Sequence, residues 1–239
     1  MINLTRGVLD GWFGEEVVVA LRGKPEASLE DLRASLAQPF MAMALDRCIS
    51  ELVESRASDL ALKAGDRAPS FRLFDWTGKA HSLQSLLAKG PMVLTFFRGS
   101  WCPSSEAQLR ALEEARAEIE QRGGTTIAIS QQARQDERFS PAASELGFPL
   151  LMDQGGTVAA RFGLRWTLPD YLRSAYRDVG VDLEALHGDA SWTLPMSSIY
   201  VISKTGMIVY SEVSADPSKR QDPRDILPIL SYLSRTRFN

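Results

Sequence analysis

One segment constrains the fold of this chain more than any other, because a buried strand leads directly into a helix with a cysteine at the junction. The apolar run Pro91–Phe97 follows a glycine, and Cys102 and Pro103 come shortly after it. Leucines and an isoleucine then recur at helical spacing until two glycines end the pattern. This order predicts a strand at 92–97 and a helix at 104–121, with Cys102 at or beside the helix N-cap.

This junction suits a reactive thiol. Pro103 falls at the first helical position, where its missing N–H costs nothing. The free N–H groups and the positive end of the helix dipole favour an anion there, so we expect the Cys102 thiolate to be stabilised over the thiol. Arg98, four residues earlier, is a candidate second positive charge. The alternatives are that Cys102 is only a small buried apolar residue and that Arg98 is solvated at a strand end.

Composition excludes several classes of function. The 239 residues include 44% hydrophobic and 24% charged ones, which is ordinary for a soluble chain with a real core. A formal net charge of −3 provides no basic surface for phosphates, so we expect no nucleic-acid partner. Two histidines leave little material for a zinc site, and two cysteines are too few for a disulfide framework.

The sequence contains no pattern that predicts export or membrane insertion. Near the N-terminus the longest apolar run is Val17–Leu21, which is shorter than the hydrophobic region of a signal peptide. No segment approaches the roughly 20 apolar residues that a membrane-spanning helix requires. We therefore expect a cytoplasmic protein with reduced thiols and no membrane partner.

From residue 63 onward the chain alternates strand and helix patterns. A second apolar run at Thr125–Ser130 follows the helix at 104–121, which predicts a parallel strand pair with a right-handed crossover. Cys102 would then lie at the carboxyl edge of the first strand, where open α/β sheets place their sites. Residues 199–202 and 207–210 are typical of an antiparallel hairpin. Pro228 predicts a kink in, or a later start of, the final helix.

The N-terminal part has a different pattern. Residues 28–62 carry leucines at helical spacing, with Pro39 as an expected break into two pieces. We therefore expect residues 1–62 to form a largely helical extension of a domain at 63–239. Its apolar stripe, together with Phe40 and the nearby methionines, predicts a homodimer in which this arm contributes to the interface. Packing of the arm on its own domain is the alternative.

Several segments resemble one known family. They are Ala64–Phe71, Phe97–Pro103, Leu109–Leu112, Ile129–Ser130, Phe148–Asp153, Phe162–Leu164, Gly188–Trp192 and Tyr200–Ile202. In these segments the chain resembles the alkyl hydroperoxide reductase and thiol-specific antioxidant group, in its peroxiredoxin-like branch. The resemblance covers roughly residues 64–236. It implies an α/β thioredoxin-like fold, a central mixed sheet flanked by helices, with the helical extension added at the N-terminus.

The resemblance also implies a function. The chain would be a thiol-dependent peroxidase of the one-cysteine type, in which the Cys102 thiolate attacks the distal oxygen of a hydroperoxide and becomes a sulfenic acid. Arg98 and the N–H groups at the helix start would stabilise the developing charge. An external thiol would be the reductant, and no metal or organic cofactor would be required. Trp101 would form a wall of the site, with ordinary packing as the alternative.

The sequence departs from the family pattern near the cysteine. Ser105 replaces the second cysteine that members of this branch commonly carry, so the motif cannot form a dithiol couple. Gly99 replaces the hydroxyl-bearing residue of classical peroxiredoxins, which leaves Ser100 or Ser104 as substitutes. Ser197 lies where thioredoxin relatives have a cis-proline and peroxiredoxins an arginine. Ser105 is either a donor to the thiolate or simply a first-turn helix residue.

These departures keep two other functions open: a single-thiol disulfide-exchange protein and a thioredoxin-fold interaction module without chemistry. Thr95, which stands where classical peroxiredoxins have a proline, is a further departure from the family. Cys48 lies inside a helical pattern and is expected in a core or interface rather than as a resolving partner. His81 and His187 are expected to be surface or loop residues.

Overall fold

The computed structural model describes residues 29–133, 146–216 and 222–235. Backbone contacts divide the chain into two units. One consists of residues up to Cys48 together with Pro169–Val181, and the other of Ile49–Leu168 together with the residues from Asp182 onward. The boundary that the sequence predicts between 62 and 63 stays a prediction, and the unassigned residues 1–27 lie outside the described residues.

The elements follow in chain order. The strands are β1 (Arg72–Asp75), β2 (Ala80–Ser82), β3 (Met92–Phe96), β4 (Thr125–Ser130), β5 (Leu150–Met152), β6 (Arg165–Thr167), β7 (Thr193–Pro195), β8 (Ser197–Ile202) and β9 (Ile208–Ser214). The helices are α1 (Leu29–Glu54), α2 (Leu83–Leu87), α3 (Pro103–Gln121), α4 (Thr157–Arg161), α5 (Asp170–Asp178), α6 (Leu183–His187) and α7 (Leu227–Arg235). Short 3-10 turns cover Ala57–Leu60, Gln154–Gly156 and Pro223–Ile226.

Seven strands form one mixed sheet in the order β2-β1-β5-β4-β3-β8-β9. Strands β3 and β4 are parallel, in register from Met92 opposite Thr125 to Phe96 opposite Ile129, as the sequence predicts. Strand β8 pairs antiparallel with β3 and forms the expected hairpin with β9. Because β3 lies in the middle of the sheet and is buried along its whole length, its sequence is a continuous apolar run.

Helices and apolar side chains cover both faces of this sheet. On one face, helix α3 buries Leu109, Leu112 and Ile119 in a cluster that also contains Val93 from β3 and Leu230 from α7. On the other face, a group of three aromatic rings packs with centroid separations of 5.1–6.5 Å, formed by Phe96, Phe162 and Tyr200. The end of β3, and with it the start of α3, is therefore held by core on both sides.

Two predictions about prolines have different outcomes. The expected break at Pro39 is wrong, because α1 continues through this residue from Leu29 to Glu54. Alanine, leucine and methionine on either side are strong helix formers, and they offset the one hydrogen bond that proline cannot donate. The later start expected from Pro228 is confirmed, since a 3-10 turn precedes α7 at Leu227.

The segment between 164 and 196, which has no clear period in the sequence, contains short elements. Strands β6 and β7 form an antiparallel ribbon in which Trp166 lies opposite Leu194. Helix α5 belongs to the first unit and α6 to the second. Across the described ranges, no helix has both the length and the apolar character needed to cross a membrane.

Candidate functional site

Cys102 lies where the sequence predicts it, at the N-cap of α3, with Pro103 at the first helical position. The residue is extended, at φ −100° and ψ 116°, and its thiol is free. Its N–H donates to the carbonyl of Gly99 at 3.2 Å, and its carbonyl accepts from the N–H of Glu106 at 3.0 Å. The side chain is only 7% exposed. Cys102 is therefore a buried thiol at the positive end of a 19-residue helix.

The loop before Cys102 is held by Gln132, a residue that the sequence analysis missed. The fully buried Oε1 of Gln132 accepts from the backbone N–H of Ser100 at 2.7 Å and from its hydroxyl at 3.1 Å. The Gln132 Nε2 also lies 2.9 Å from the Ser100 hydroxyl, to which it donates. The hydroxyl that the sequence suggests as a substitute peroxide ligand is thus already engaged. Gln132 is the second residue after β4, at the carboxyl edge of the sheet, and that position was the available signal.

Gly99 is needed in the same loop for two reasons. Its φ of 138° lies in a region that residues with a side chain rarely adopt. A Cβ atom there would lie 2.5 Å from the indole nitrogen of Trp101 and 2.9 Å from Oε1 of Gln132. The glycine therefore lets the loop lie flat against both side chains. This contact places Trp101, which is partly buried, against the loop of the cysteine.

Ser105 lies in the first turn of α3, as one of the two sequence-based alternatives expects, and its side chain also makes a structural hydrogen bond. Its buried hydroxyl accepts a hydrogen bond from the backbone N–H of Arg98 at 3.1 Å, which fastens the end of β3 to the first turn of α3. Ser105 and Cys102 are both among the described residues, and their side chains are not hydrogen-bonded to each other. Ser104 lies in the same turn and is partly buried. The serine at the position of the family's second cysteine thus has a structural role, because its hydroxyl accepts this hydrogen bond.

Arg98 is buried, so its interpretation as a solvated arginine is wrong. It is 3% exposed, and its guanidinium carbon lies 5.9 Å from the centroid of the Trp166 ring. The Nε atom has no hydrogen-bond partner in the described parts of the chain. No hydrogen bond joins the guanidinium to the Cys102 thiol among these residues either. The sequence pattern gave no sign of Trp166, because it lies 68 positions further along the chain, in β6.

Strand β8, which begins with Ser197, is connected to β3 by the next residue, Ser198. Ser197 begins β8 and pairs with Ser214 on the outer strand. The carbonyl of Ser198 accepts from the hydroxyl of Thr95 at 2.7 Å, and this hydroxyl accepts from Nε2 of Gln108 at 2.6 Å. Thr95, at the position of the family's proline, therefore connects β3, β8 and α3. Gln108 is a second residue that the sequence analysis missed.

The histidines and the second cysteine lie outside this loop. The prediction that both histidines are surface or loop residues is wrong: His81, on β2, is buried, and His187, at the end of α6, is 1% exposed. The Nε2 of His81 lies 2.8 Å from Oδ2 of Asp75. Burial alone would raise the pKa of Asp75, but hydrogen bonds from Thr77 and His81 bring it below its ordinary value. Cys48 is buried in the first unit and forms no disulfide, and its role as a core or interface residue stays a prediction.

The comparisons with known proteins agree with this geometry. Residues 64–211, more than half of the chain, match the model of the AhpC/TSA family. A Mycobacterium tuberculosis protein named as a putative peroxiredoxin is 30% identical over 104 residues, which are 44% of this chain and 68% of that protein. The thiol-disulfide oxidoreductase ResA of Halalkalibacterium halodurans is 32% identical over 107 residues, or 43% of this chain and 58% of ResA.

Solved structures show the same fold at low sequence identity. The crystal structure of peroxidoxin BcpB from Mycobacterium tuberculosis has a TM-score of 0.56 and 22% identity, covering 74% of this chain and 99% of that one. A yeast mitochondrial 1-Cys peroxiredoxin has a TM-score of 0.54 and 16% identity, covering 73% and 78%. The predicted thioredoxin-like α/β fold is confirmed by these matches. The family and its relatives support a thiol-based redox function, and the chain belongs to the AhpC/TSA family.

Proposed function

We propose that the chain is a thiol-dependent peroxidase of the one-cysteine type, with Cys102 as the reacting residue. One observation carries the proposal: within the segment that matches the family, a free thiol lies at the N-cap of α3 and a serine occupies the position of the second cysteine. The helix start supplies unpaired N–H groups and a positive partial charge, both of which stabilise a thiolate.

The reaction follows from the chemistry of that thiolate. The Cys102 sulfur attacks the distal oxygen of a hydroperoxide, the S–O bond forms and the O–O bond breaks. The leaving oxygen departs with the bonding electron pair and takes up a proton, giving water or an alcohol. Sulfur is oxidised to the sulfenic acid, and the peroxide is reduced. Neither a metal ion nor an organic cofactor takes part in these steps.

The surrounding residues have distinct roles in this proposal. Arg98 and the N–H groups at the start of α3 stabilise the charge on the leaving oxygen. Trp101 and Ser104, both partly buried, would border the bound peroxide together with Ser197 at the start of β8. Ser100 and Ser105 act differently, since their hydroxyls hold the loop and are engaged in hydrogen bonds within the protein.

Reduction requires a thiol from outside the motif, because Ser105 cannot form a disulfide. One thiol condenses with the sulfenic acid and releases water, and a second thiol then frees Cys102 as a disulfide leaves. We place this cycle in the cytoplasm, where thiols are kept reduced. Both cysteines of the chain are buried and neither forms a disulfide, which supports this placement.

Intact-mass analysis after one equivalent of hydrogen peroxide tests the peroxidase. The native chain and a Cys48→Ser variant should each gain one oxygen, whereas Cys102→Ser should gain none. Blocking the thiols before peroxide is added should abolish the gain. A native chain that gains no oxygen, and whose Cys102 is alkylated equally well before and after peroxide, would contradict the proposal.

The homodimer also belongs to the proposal. Two large apolar side chains of α1, Phe40 and Met43, are 47% and 55% exposed, and a second copy of the chain would provide a partner for this helix. Light scattering on the full-length chain at tens of micromolar concentration tests it. A monomer under those conditions would rule the dimer out.

Single-thiol disulfide exchange is the second candidate function, and the similarity to ResA favours it. In that case Cys102 would react faster with a small disulfide than with peroxide. Stopped-flow rates for 5,5′-dithiobis(2-nitrobenzoate) and for hydrogen peroxide on the same sample separate the two activities. A chain that reacts with neither reagent would support the interaction module without chemistry.

A further inference from the structure

Arg98 is a buried cation that lacks an anionic partner among the described residues. It is 3% exposed, it takes part in no ion pair there, and its Nε–H makes no hydrogen bond. Arginine stays protonated in proteins, and buried charges are ordinarily paired, because an unpaired one costs several kcal/mol in lost hydration. A buried arginine left in this state is therefore suited to bind an anion from outside the chain.

A second unpartnered donor lies next to it. Trp166 is 9% exposed, and its indole Nε1–H makes no hydrogen bond within the described parts of the chain. The 5.9 Å between the Arg98 guanidinium carbon and the Trp166 ring centroid is close to the outer limit of a cation–π contact. The ring therefore compensates the positive charge only weakly. Two buried N–H donors from neighbouring side chains remain available.

One of these donors, Arg98, belongs to the loop that precedes Cys102, and the other, Trp166, lies in β6. The backbone N–H of Arg98 is fixed to Ser105 in the first turn of α3, and the N–H of Cys102 is bonded to Gly99. A ligand that binds the guanidinium is thus held by a residue that lies two positions after the end of β3 and four positions before Cys102. Its distance from Cys102 is set by this short, hydrogen-bonded loop.

We propose that Arg98 and Trp166 form a subsite for a carboxylate that belongs to one of the two reactants of Cys102. The planar fork of arginine matches the two oxygens of a carboxylate, and the indole N–H adds a third donor. A neutral hydroperoxide group would leave the buried charge uncompensated. This inference rests on the proposed peroxidase function, and it specifies its substrate class as a reactant with a carboxylate group.

Two sources of the carboxylate are possible, and matched acid and ester pairs distinguish them. For the oxidation step, the rates of Cys102 oxidation by linoleic acid hydroperoxide and by its methyl ester are compared. For the reduction step, the sulfenic acid is reduced with 3-mercaptopropionate or with its methyl ester. The acid should react about 10- to 100-fold faster than the ester in one of the two steps, as a charge-assisted hydrogen bond implies.

The variants then show which residues are responsible. Arg98→Gln should bring the ratio of acid to ester rates close to one, and Trp166→Phe, which keeps an aromatic ring, should lower it by a smaller factor. Arg110→Gln is the matched control, since it removes an exposed arginine of α3 and should leave the ratio unchanged. If Arg98→Gln does not fold, the ratio of acid to ester rates is compared between the native chain and Trp166→Phe, and a lower ratio in the variant supports the subsite.

A binding measurement separates this inference from the proposed function. Millimolar hexanoate should raise the thermal midpoint of the native chain more than hexanamide does, and this difference should vanish in Arg98→Gln. If hydrogen peroxide fails to oxidise Cys102, the peroxidase proposal fails, and the hexanoate measurement alone decides on the subsite. Equal acid and ester rates in both steps, together with no specific effect of hexanoate, would overturn the subsite.

Discussion

The side-chain oxygen of Gln132 accepts two hydrogen bonds from Ser100, one from its backbone N–H at 2.7 Å and one from its hydroxyl at 3.1 Å. These bonds connect the segment after β4 with the loop that precedes Cys102. They are buried, so their loss leaves polar groups without a partner and without water. The position of the thiol therefore depends on a side chain from the segment that follows the neighbouring strand β4.

Gln132→Ala should lower the free energy of unfolding by about 1–3 kcal/mol, because the Ser100 N–H is left unsatisfied. It should slow the oxidation of Cys102 by hydrogen peroxide about tenfold or more, because a loosened loop misplaces the thiol. Alkylation by iodoacetamide should become faster, because the thiol is better exposed. Urea denaturation measures the change in stability, and the rates of oxidation by hydrogen peroxide and of alkylation by iodoacetamide are measured separately. Gln121→Ala, an exposed change on α3, is the control, and a parallel fall of both rates would contradict a positioning role.

Gly99→Ala should be more harmful than a glycine-to-alanine change elsewhere. The added Cβ would collide with Trp101 and Gln132 in addition to straining the backbone, so we expect a loss of roughly 3 kcal/mol or more. Gly123→Ala separates the two effects, since Gly123 also has a positive φ but no atom within 4 Å of the place that a Cβ would take. It should cost only about 1–2 kcal/mol. Equal losses in urea denaturation would show that the close approach at Gly99 is unimportant.

Ser105→Cys should convert the chain into a dithiol protein. After one equivalent of hydrogen peroxide the intact mass should fall by two hydrogens, instead of rising by one oxygen, because the introduced thiol would displace water from the sulfenic acid. The double variant with Cys102→Ser controls for other thiol chemistry and should show no such loss. Persistence of the sulfenic acid in Ser105→Cys would show that the first turn of α3 holds the two sulfurs apart.

His187 should make folding stability depend on pH in the weakly acidic range. Burial lowers its pKa, and the nearby Asp189 offsets only part of this effect, so the folded chain resists protonation of the imidazole. The unfolded chain binds the proton at the ordinary value near 6.5, so the free energy of unfolding should fall as the pH drops below that value. Urea denaturation at several pH values between about 7.5 and about 5 measures the slope. His187→Gln should flatten it, and an equally steep slope in that variant would assign the effect to other groups.

The sequence was sufficient for the elements that surround the thiol. Strand β4 has the predicted bounds, α3 begins one residue before its predicted start, and Cys102 lies at the N-cap. These features depend on periodicity and on proline and glycine signals, which are local along the chain. Local patterns therefore placed the cysteine correctly.

The partners of the site could not be predicted in the same way. Gln132 and Trp166 contact the loop only after distant parts of the chain come together. Such contacts produce no periodic pattern in the sequence, so they could not be predicted from it. The histidines were misplaced for a related reason: a polar residue is expected at the surface unless its buried partner is known, and for His81 that partner is Asp75. The continuous α1 shows the opposite error, since a single proline was given more weight than its helix-forming neighbours.

The burial of Cys102 has a consequence for the two halves of its chemistry. Because Cys102 is only 7% exposed, its thiol should react more readily with small reagents than with large ones. A molecule as small as hydrogen peroxide needs little room, whereas a protein thiol must approach in line with the sulfur and therefore requires the loop held by Gln132 and Ser105 to open. In the proposed cycle, oxidation by hydrogen peroxide would therefore need no rearrangement of this loop, whereas reduction by a protein thiol would require a local opening of the structure.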